Sequence, residues 1–306
     1  MKATLLITGV AGFIGSKIAC KAIKNGYKVV GVDDLSMGNK ANIPLNVEFY
    51  AFDLSKKVFF DQLPRNIDYI LHLAGQSSGE ISFDDPILDL EKNTHSTLNL
   101  INFGIKNNVK KILYASSMSV YGEVENQPIS ENQEPKPLSC YGVGKLASEQ
   151  YLTIFSNQIP FISFRMFNVY GPGQDLSNMR QGMVSIFVSQ ALRNNSILVK
   201  GSLDRFRDFI YIDDVVNCWL KAIDLNELNN ITMNLGTGER TDIRTLVNEI
   251  GKNFYVSEVI VEGSTLGDQF GIYADTSKLK AYLKINALTS LKEGIQKFSS
   301  WAKSLS

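Results

Sequence analysis

The sequence predicts an α/β protein built on a Rossmann-type, doubly wound parallel sheet with a smaller, interleaved C-terminal lobe. Three observations predict it: a dense apolar run at the start, glycines where that run gives way to a helical pattern, and the recurrence of such runs with helices between them. Ala3–Thr8 is too uniformly apolar to alternate, as expected of a parallel strand buried on both faces. Gly9, Gly12 and Gly15 follow, then a helix with Ile14, Ile18, Ala22 and Ile23 on one face, ended by Asn25-Gly26. Tyr27–Val32 is the next strand and runs into Asp33-Asp34, completing a βαβ unit. Further strands are expected at Val47–Phe52, Ile67–Leu73, Lys111–Ala115, Phe161–Phe164 and Ile231–Leu235. After about residue 168 the rhythm breaks at Tyr170-Gly-Pro-Gly-Gln174. Ser290 and Glu293 then read as a capping box opening a final helix with a Leu291, Ile295, Phe298, Trp301 stripe. The expected division is a cofactor half at 1–167 and 213–236 and a substrate lobe at 168–212 and 237–306.

Composition narrows the function. The 306 residues carry 31 basic and 31 acidic side chains, so no field holds a polyanion and nucleic acid is a poor partner. Three scattered cysteines, Cys20, Cys140 and Cys218, and two histidines, His72 and His95, make neither a disulfide scaffold nor a multi-histidine metal centre. No apolar run approaches the ~18 residues of a membrane span, and Met1–Ile7 lacks the layout of a signal peptide. A cytoplasmic enzyme with no metal is expected.

The glycines sit where a backbone approaches a pyrophosphate closely and a helix N-terminus offers N–H donors. An acid follows about 20 residues on. Asp33 closes the second strand, where its carboxylate suits both ribose hydroxyls of an adenosine and repels a 2′-phosphate, favouring NAD over NADP; a turn aspartate is the alternative. Tyr141 and Lys145 stand four apart, on one helix face. A nearby ammonium, helped by an oxidised nicotinamide, is expected to favour the phenolate, making Tyr141 a base for a sugar hydroxyl. Ser117 follows a strand and is placed to share that hydrogen bond, unless it is only a turn serine.

Together these motifs resemble the extended short-chain dehydrogenase/reductase family, and within it the NAD-dependent sugar-nucleotide epimerase/dehydratase group of UDP-galactose 4-epimerase type. The carriers are Thr8-Gly-Val-Ala-Gly-Phe-Ile-Gly15, Asp33-Asp-Leu-Ser36, Asp53-Leu54, His72-Leu-Ala-Gly75, Asn93, Ser116-Ser117, Tyr121-Gly122, Tyr141 with Lys145, Phe167-Asn-Val-Tyr-Gly-Pro172 and Arg207-Asp-Phe-Ile-Tyr-Ile-Asp-Asp214. The resemblance implies that Ser117, Tyr141 and Lys145 are catalytic. It assigns NAD to Gly9, Gly12, Phe13, Ile14, Gly15, Asp33 and Asp34, to Asp53 and Leu54 at the adenine, and to Leu73, Ala74, Gly75 and Asn93. Asn168 and Arg207 match positions that hold the pyrophosphate of a nucleoside-diphosphate sugar, a task suited to a guanidinium fork. A surface ion pair of Arg207 with Asp204 or Asp208 is the alternative.

Departures restrict the reaction. Related dehydratases carry an acid just after the catalytic Ser/Thr, whereas Met118 and Ser119 stand here, which disfavours dehydration and decarboxylation. Ser119 and Asp33 also argue against the NADPH-dependent epimerase-reductases, which usually carry a cysteine at the position of Ser119. The remaining expectation is 4-epimerisation through a transient 4-keto sugar, with a one-way 4-dehydrogenase or 4-ketoreductase as the alternative. A nucleotide sensor that had lost catalysis has no need of Ser117, Tyr141 and Lys145, all present. Thr265 stands three residues before Asp268 where many relatives have an arginine, and Met166 where a tyrosine is common, so the nucleotide stays open. The resemblance further implies a homodimer joined through the helix after Asn93 and the helix of Tyr141, with Thr97, Leu98, Leu100 and Ile101 as apolar surface or as core. Both histidines read as structural.

Overall fold

The computed structural model describes residues 2–125, 127–225, 227–285 and 287–305. β1 (Thr4–Thr8) is buried along its whole length, as its sequence requires, and leads through the glycine turn into α1 (Phe13–Lys24). Gly26, at φ 86°, takes the left-handed turn after that helix. There follow β2 (Lys28–Asp33), β3 (Val47–Ala51) and β4 (Tyr69–His72). α2 (Pro86–Leu90) continues through a π-turn at Glu91–His95 into α3 (Ser96–Lys106). Next come β5 (Lys111–Ser117), α4 (Cys140–Ile154) and β6 (Phe161–Met166). The later part contains β7 (Asn168–Tyr170), α5 (Met183–Asn194), β8 (Ser196–Lys200), β9 (Phe206–Arg207), β10 (Phe209–Tyr211), α6 (Ile212–Asp224), β11 (Ile231–Leu235), β12 (Thr241–Asp242), α7 (Ile243–Gly251), β13 (Glu258–Glu262), α8 (Ser277–Leu283) and α9 (Leu291–Lys303).

Seven strands form one parallel sheet in the order β11-β6-β5-β4-β1-β2-β3, the Rossmann-type arrangement expected. The chain winds outward in both directions from β1, so the crevice at the C-terminal ends of β1, β2 and β4 is where such a sheet binds ligands. Helices cover both faces. Ile18, Ala19 and Ala22 of α1 pack with Trp219 of α6 on one side, while Leu100, Ile101 and Leu152 pack on Ile70 and Ile112 on the other.

Strand boundaries differ from expectation at the cleft. β4 stops at His72 because Leu73-Ala74-Gly75 turns away as cleft wall, and β5 runs on to Ser117 through its pairing with β6. Half of the capping box forms: Ser290 Oγ accepts from the Glu293 N–H at 3.3 Å, but the Glu293 carboxylate pairs with Lys297 at 2.8 Å. The two readings left open for α3 resolve towards core. Thr97, Leu100 and Ile101 are core at 1% exposure or less, because α3 turns that face onto the sheet. No helix among the described residues is long and apolar enough to cross a membrane.

Candidate active site

The glycine turn is shaped by close backbone approach. Gly9 has φ 69°, and a Cβ there would lie 2.8 Å from the Ala74 nitrogen. A Cβ on Gly15 would lie 2.1 Å from the Gly9 carbonyl, so any larger residue would force α1 off β1. Gly12 is the N-cap of α1 and caps nothing with a side chain, leaving the first N–H groups of the helix to face the cleft. Gly9, Gly12, Phe13, Ile14 and Gly15 all line that cleft.

Asp33 holds the turn and also lines the cleft. Its Oδ1 accepts from Leu35 N–H and its Oδ2 from Ala11 N–H, each at 2.9 Å, which holds the turn. Each oxygen keeps a lone pair for a further donor, and the residue lines the cleft. Burial pushes its carboxyl above the usual range, against those two backbone donors. Asp34 and Asp53 are bridged by Lys92, at 2.6 and 2.9 Å, a residue that sequence reasoning missed. All three, with Leu54, line the end of the cleft where the adenosine is expected. Three carboxylates against one ammonium make that end hostile to a further phosphate.

The opposite wall carries the three residues expected to be catalytic. Ser117 ends β5 and Tyr141 and Lys145 share one face of α4, whose N-cap Ser139 accepts from Gly142 N–H at 3.1 Å. All three line the same cleft. The Lys145 ammonium lies 5.1 Å from the Tyr114 ring and 5.6 Å from the Tyr141 ring. Burial lowers Lys145 to about 8, opposed by Asp89 and Glu149. Burial raises the Tyr141 phenol to about 12, with the Ser117 hydroxyl pulling it down and Asp89 pushing it up. The expected lowering of the phenol is therefore not achieved by the chain alone. Desolvation outweighs the Ser117 hydrogen bond. Ser117 Oγ also accepts from Ser119 N–H at 3.1 Å, so it is a turn serine as well as a cleft hydroxyl.

Leu73, Ala74 and Gly75 line the cleft between these two ends. Asn93 stands behind Gly75, its buried Oδ1 without a hydrogen-bond partner. An orphaned acceptor, an uncapped helix N-terminus and a glycine cradle are together what a dinucleotide with ribose hydroxyls and phosphates would satisfy. The cleft holds about 1550 Å³, above the ~300–1,000 Å³ of a single small-ligand site, which leaves room for a second ligand. His72, by contrast, is structural: it bonds Thr8 and Thr97 through its two ring nitrogens, and burial keeps it neutral, lowered to about 3.

Asn168 lines the cleft, and its amide donates to the Asp208 carbonyl at 3.0 Å through the β7–β10 pairing. Arg207 lies outside the cleft lining. It is 1% exposed and donates to the Phe206, Phe270 and Gln269 carbonyls and to Asp268. Its ion pair is neither of the local ones considered: Asp204 meets Arg244, and Asp208 takes Thr237 and Gly238. Arg205 also binds Asp268, so two guanidinium groups share one carboxylate.

A model of the NAD-dependent epimerase/dehydratase family matches residues 5–236. A putative UDP-glucose 4-epimerase of Methanocaldococcus jannaschii is 35% identical, over 98% of this chain and 98% of its own. Among solved structures, the UDP-glucose 4-epimerase of Thermotoga maritima, crystallised with UDP-glucose, superposes with a TM-score of 0.94 at 34% identity over 99% of this chain and 100% of that one. The UDP-glucose 4-epimerase of Thermus thermophilus, a complex with NAD, gives 0.91 at 30% identity over 99% and 100%.

Proposed function

The chain belongs to the NAD-dependent epimerase/dehydratase family, and on that premise we propose that it interconverts UDP-sugars epimeric at carbon 4. The observation that carries this reading is the convergence of Ser117, Tyr141 and Lys145 on one wall of the cleft beside Met118 and Ser119. That set handles one hydroxyl proton, and neither residue after Ser117 is an acid for eliminating water.

NAD is held, in this reading, by Gly9, Gly12, Phe13, Ile14 and Gly15 at the pyrophosphate, by Asp33, Asp34, Asp53 and Leu54 at the adenosine, and by Leu73, Ala74, Gly75, Asn93, Tyr141 and Lys145 at the nicotinamide end. When bound, it supplies a reversible hydride acceptor at carbon 4 and, in its oxidised form, a positive charge. Tyr141 takes the proton of the 4-hydroxyl and returns it to the same oxygen after the keto sugar has turned over. Ser117 donates to that oxygen and keeps it in register with the phenol. Lys145 holds positive charge beside the phenolate. Asn168 anchors the diphosphate from the cleft wall, and Arg207, buried behind the lining, contributes through the surplus positive charge of two guanidinium groups over one carboxylate at Asp268. Residues 1–167 and 213–236 form the cofactor half, and 168–212 with 237–306 the nucleotide-sugar lobe.

Incubation with UDP-, GDP-, dTDP- and CDP-sugars, read by proton NMR and absorbance at the NADH band, tests the reaction. The expected result is a carbon-4 epimer of the UDP-sugar with no accumulating NADH. A keto sugar accumulating with NADH would make the protein a 4-dehydrogenase and overturn the epimerase reading.

The same reading includes a homodimer through α2 and α4. Ile87 and Leu90 on α2, and Val143 and Ile154 on α4, are exposed at 69%, 55%, 54% and 69%, while Thr97, Leu100 and Ile101 of α3 go to the core. Val143 and Ile154 lie three helical turns apart on one stripe. Elution as a dimer at micromolar concentration is expected, with V143D/I154D eluting as a monomer. A monomeric unmutated protein would remove the assembly.

A further inference from the structure

A buried carboxylate is retained only where its partners are specific. Asp89, on α2, is 1% exposed. Its Oδ1 accepts from Asn93 Nδ2 at 3.1 Å and from Gln76 Nε2 at 3.0 Å. An amide whose NH₂ is committed has its carbonyl direction settled as well. Asn93 Oδ1 accordingly faces Gly75, where a Cβ would lie 2.4 Å from it and 3.5 Å from Lys145 Nζ. The other carboxylate oxygen turns towards the catalytic helix: Asp89 Oδ2 would lie 3.4 Å from a Cβ on Gly144, the residue before Lys145. One side chain thus bonds the loop after β4 to the π-turn at Glu91–His95 and lies against α4.

We propose that Asp89 is a positioning residue for the reaction, orienting the Asn93 amide with its carbonyl towards Gly75 and setting a negative charge beside Lys145. The inference rests on the functional reading above. No sequence motif marks the residue, since it lies 56 positions before Lys145 and acts only through the fold. The titratable groups facing Asp89 are Lys145 and Tyr141 of α4, while Asn93 and Gln76 are neutral. Glu149 and His72 face Lys145 from beyond. Burial raises Asp89 to about 6, and Lys145 opposes that rise. At neutral pH the carboxylate is therefore charged and supports the Lys145 ammonium.

Asp89→Asn keeps the shape and an acceptor but removes the charge. Lys145 then loses its proton at lower pH, and the alkaline limb of the kcat profile is expected to move down by roughly one pH unit. kcat at pH 7.5 is expected to fall about tenfold, with NAD content and Tm close to the unmutated protein. Asn93→Ser, which leaves the charge in place, should lower kcat without moving that limb. A pH profile of Asp89→Asn superimposable on the unmutated one would overturn the inference. Tyr141→Phe, run alongside, separates the failures: full turnover there would instead overturn the reaction on which the inference rests. Should Asp89→Asn not fold, Gln76→Leu in its half-buried loop carries the test. Losing a donor raises the proton affinity of Asp89 and moves the acid limb to higher pH, and an unmoved acid limb would overturn the proposal.

Discussion

Tyr141→Phe is expected to fold, to retain NAD and to lose about a thousandfold in kcat, the middle of the range for a positioned general acid–base group. Only the hydroxyl goes. The ring, 9% exposed, keeps its packing and its place 5.6 Å from the Lys145 ammonium, so the cost in stability is about 1 kcal/mol. The magnitude on kcat follows from how hard the phenol is to ionise. Bringing it from about 12 to neutral pH takes roughly 7 kcal/mol. One ammonium at the 5.6 Å between Lys145 Nζ and the ring supplies roughly 3 kcal/mol at an effective dielectric of 20. The shortfall is of the size that a second positive charge in the same dry cleft contributes. On the proposed mechanism Tyr141 is therefore expected to act as a base only once the cofactor is seated, and no other phenol lines the cleft among the described residues. The check is steady-state turnover of the variant together with its NAD content; undiminished turnover would remove Tyr141 from the mechanism.

Local signals made the fold and half of the cleft legible. Gly9 and Gly15 announce a turn because no larger residue fits at either, and Tyr141 and Lys145 announce a shared face because four residues make about one helical turn. Contacts across the fold left no such trace. Lys92 reaches Asp34 over 58 residues, and nothing in the order of residues pairs them. Arg207 was flanked by two aspartates and chose a third, Asp268, 61 residues on, because β9 buries the guanidinium away from its neighbours. The inward face of α3 was illegible for a different reason. Apolar residues on α3 fit core and surface equally by period, and only docking on the sheet decides that Leu100 and Ile101 go inward while Ile87 and Leu90, earlier in the same helical run, stay out.

Glu149→Gln is expected to cost about 3–5 kcal/mol of stability, because it leaves a buried guanidinium without its counter-charge. Glu149 on α4 and Arg165 on β6 are 5% and 6% exposed. They meet in a two-point fork, Arg165 Nη2 to Oε2 at 2.7 Å and Nε to Oε1 at 3.0 Å. Ser116 Oγ donates to the same carboxylate at 2.5 Å, and the guanidinium stacks on Tyr121 at 4.7 Å. Glu149 thus fastens the helix bearing Tyr141 and Lys145 to β6 through Arg165 and to β5 through Ser116, one residue before Ser117. A loss of that size lowers Tm by on the order of 5–10 °C in a chain of this length. It should also lower kcat more than it raises KM, since the groups displaced are those that handle the proton. The E149L/R165M double variant separates an anchor from a mere charge: with both ions gone no desolvated charge is stranded, and Tm is expected to return most of the way. A double variant as unstable as Glu149→Gln would mean that the shape of the site, and not the pairing of its charges, holds α4 against the sheet.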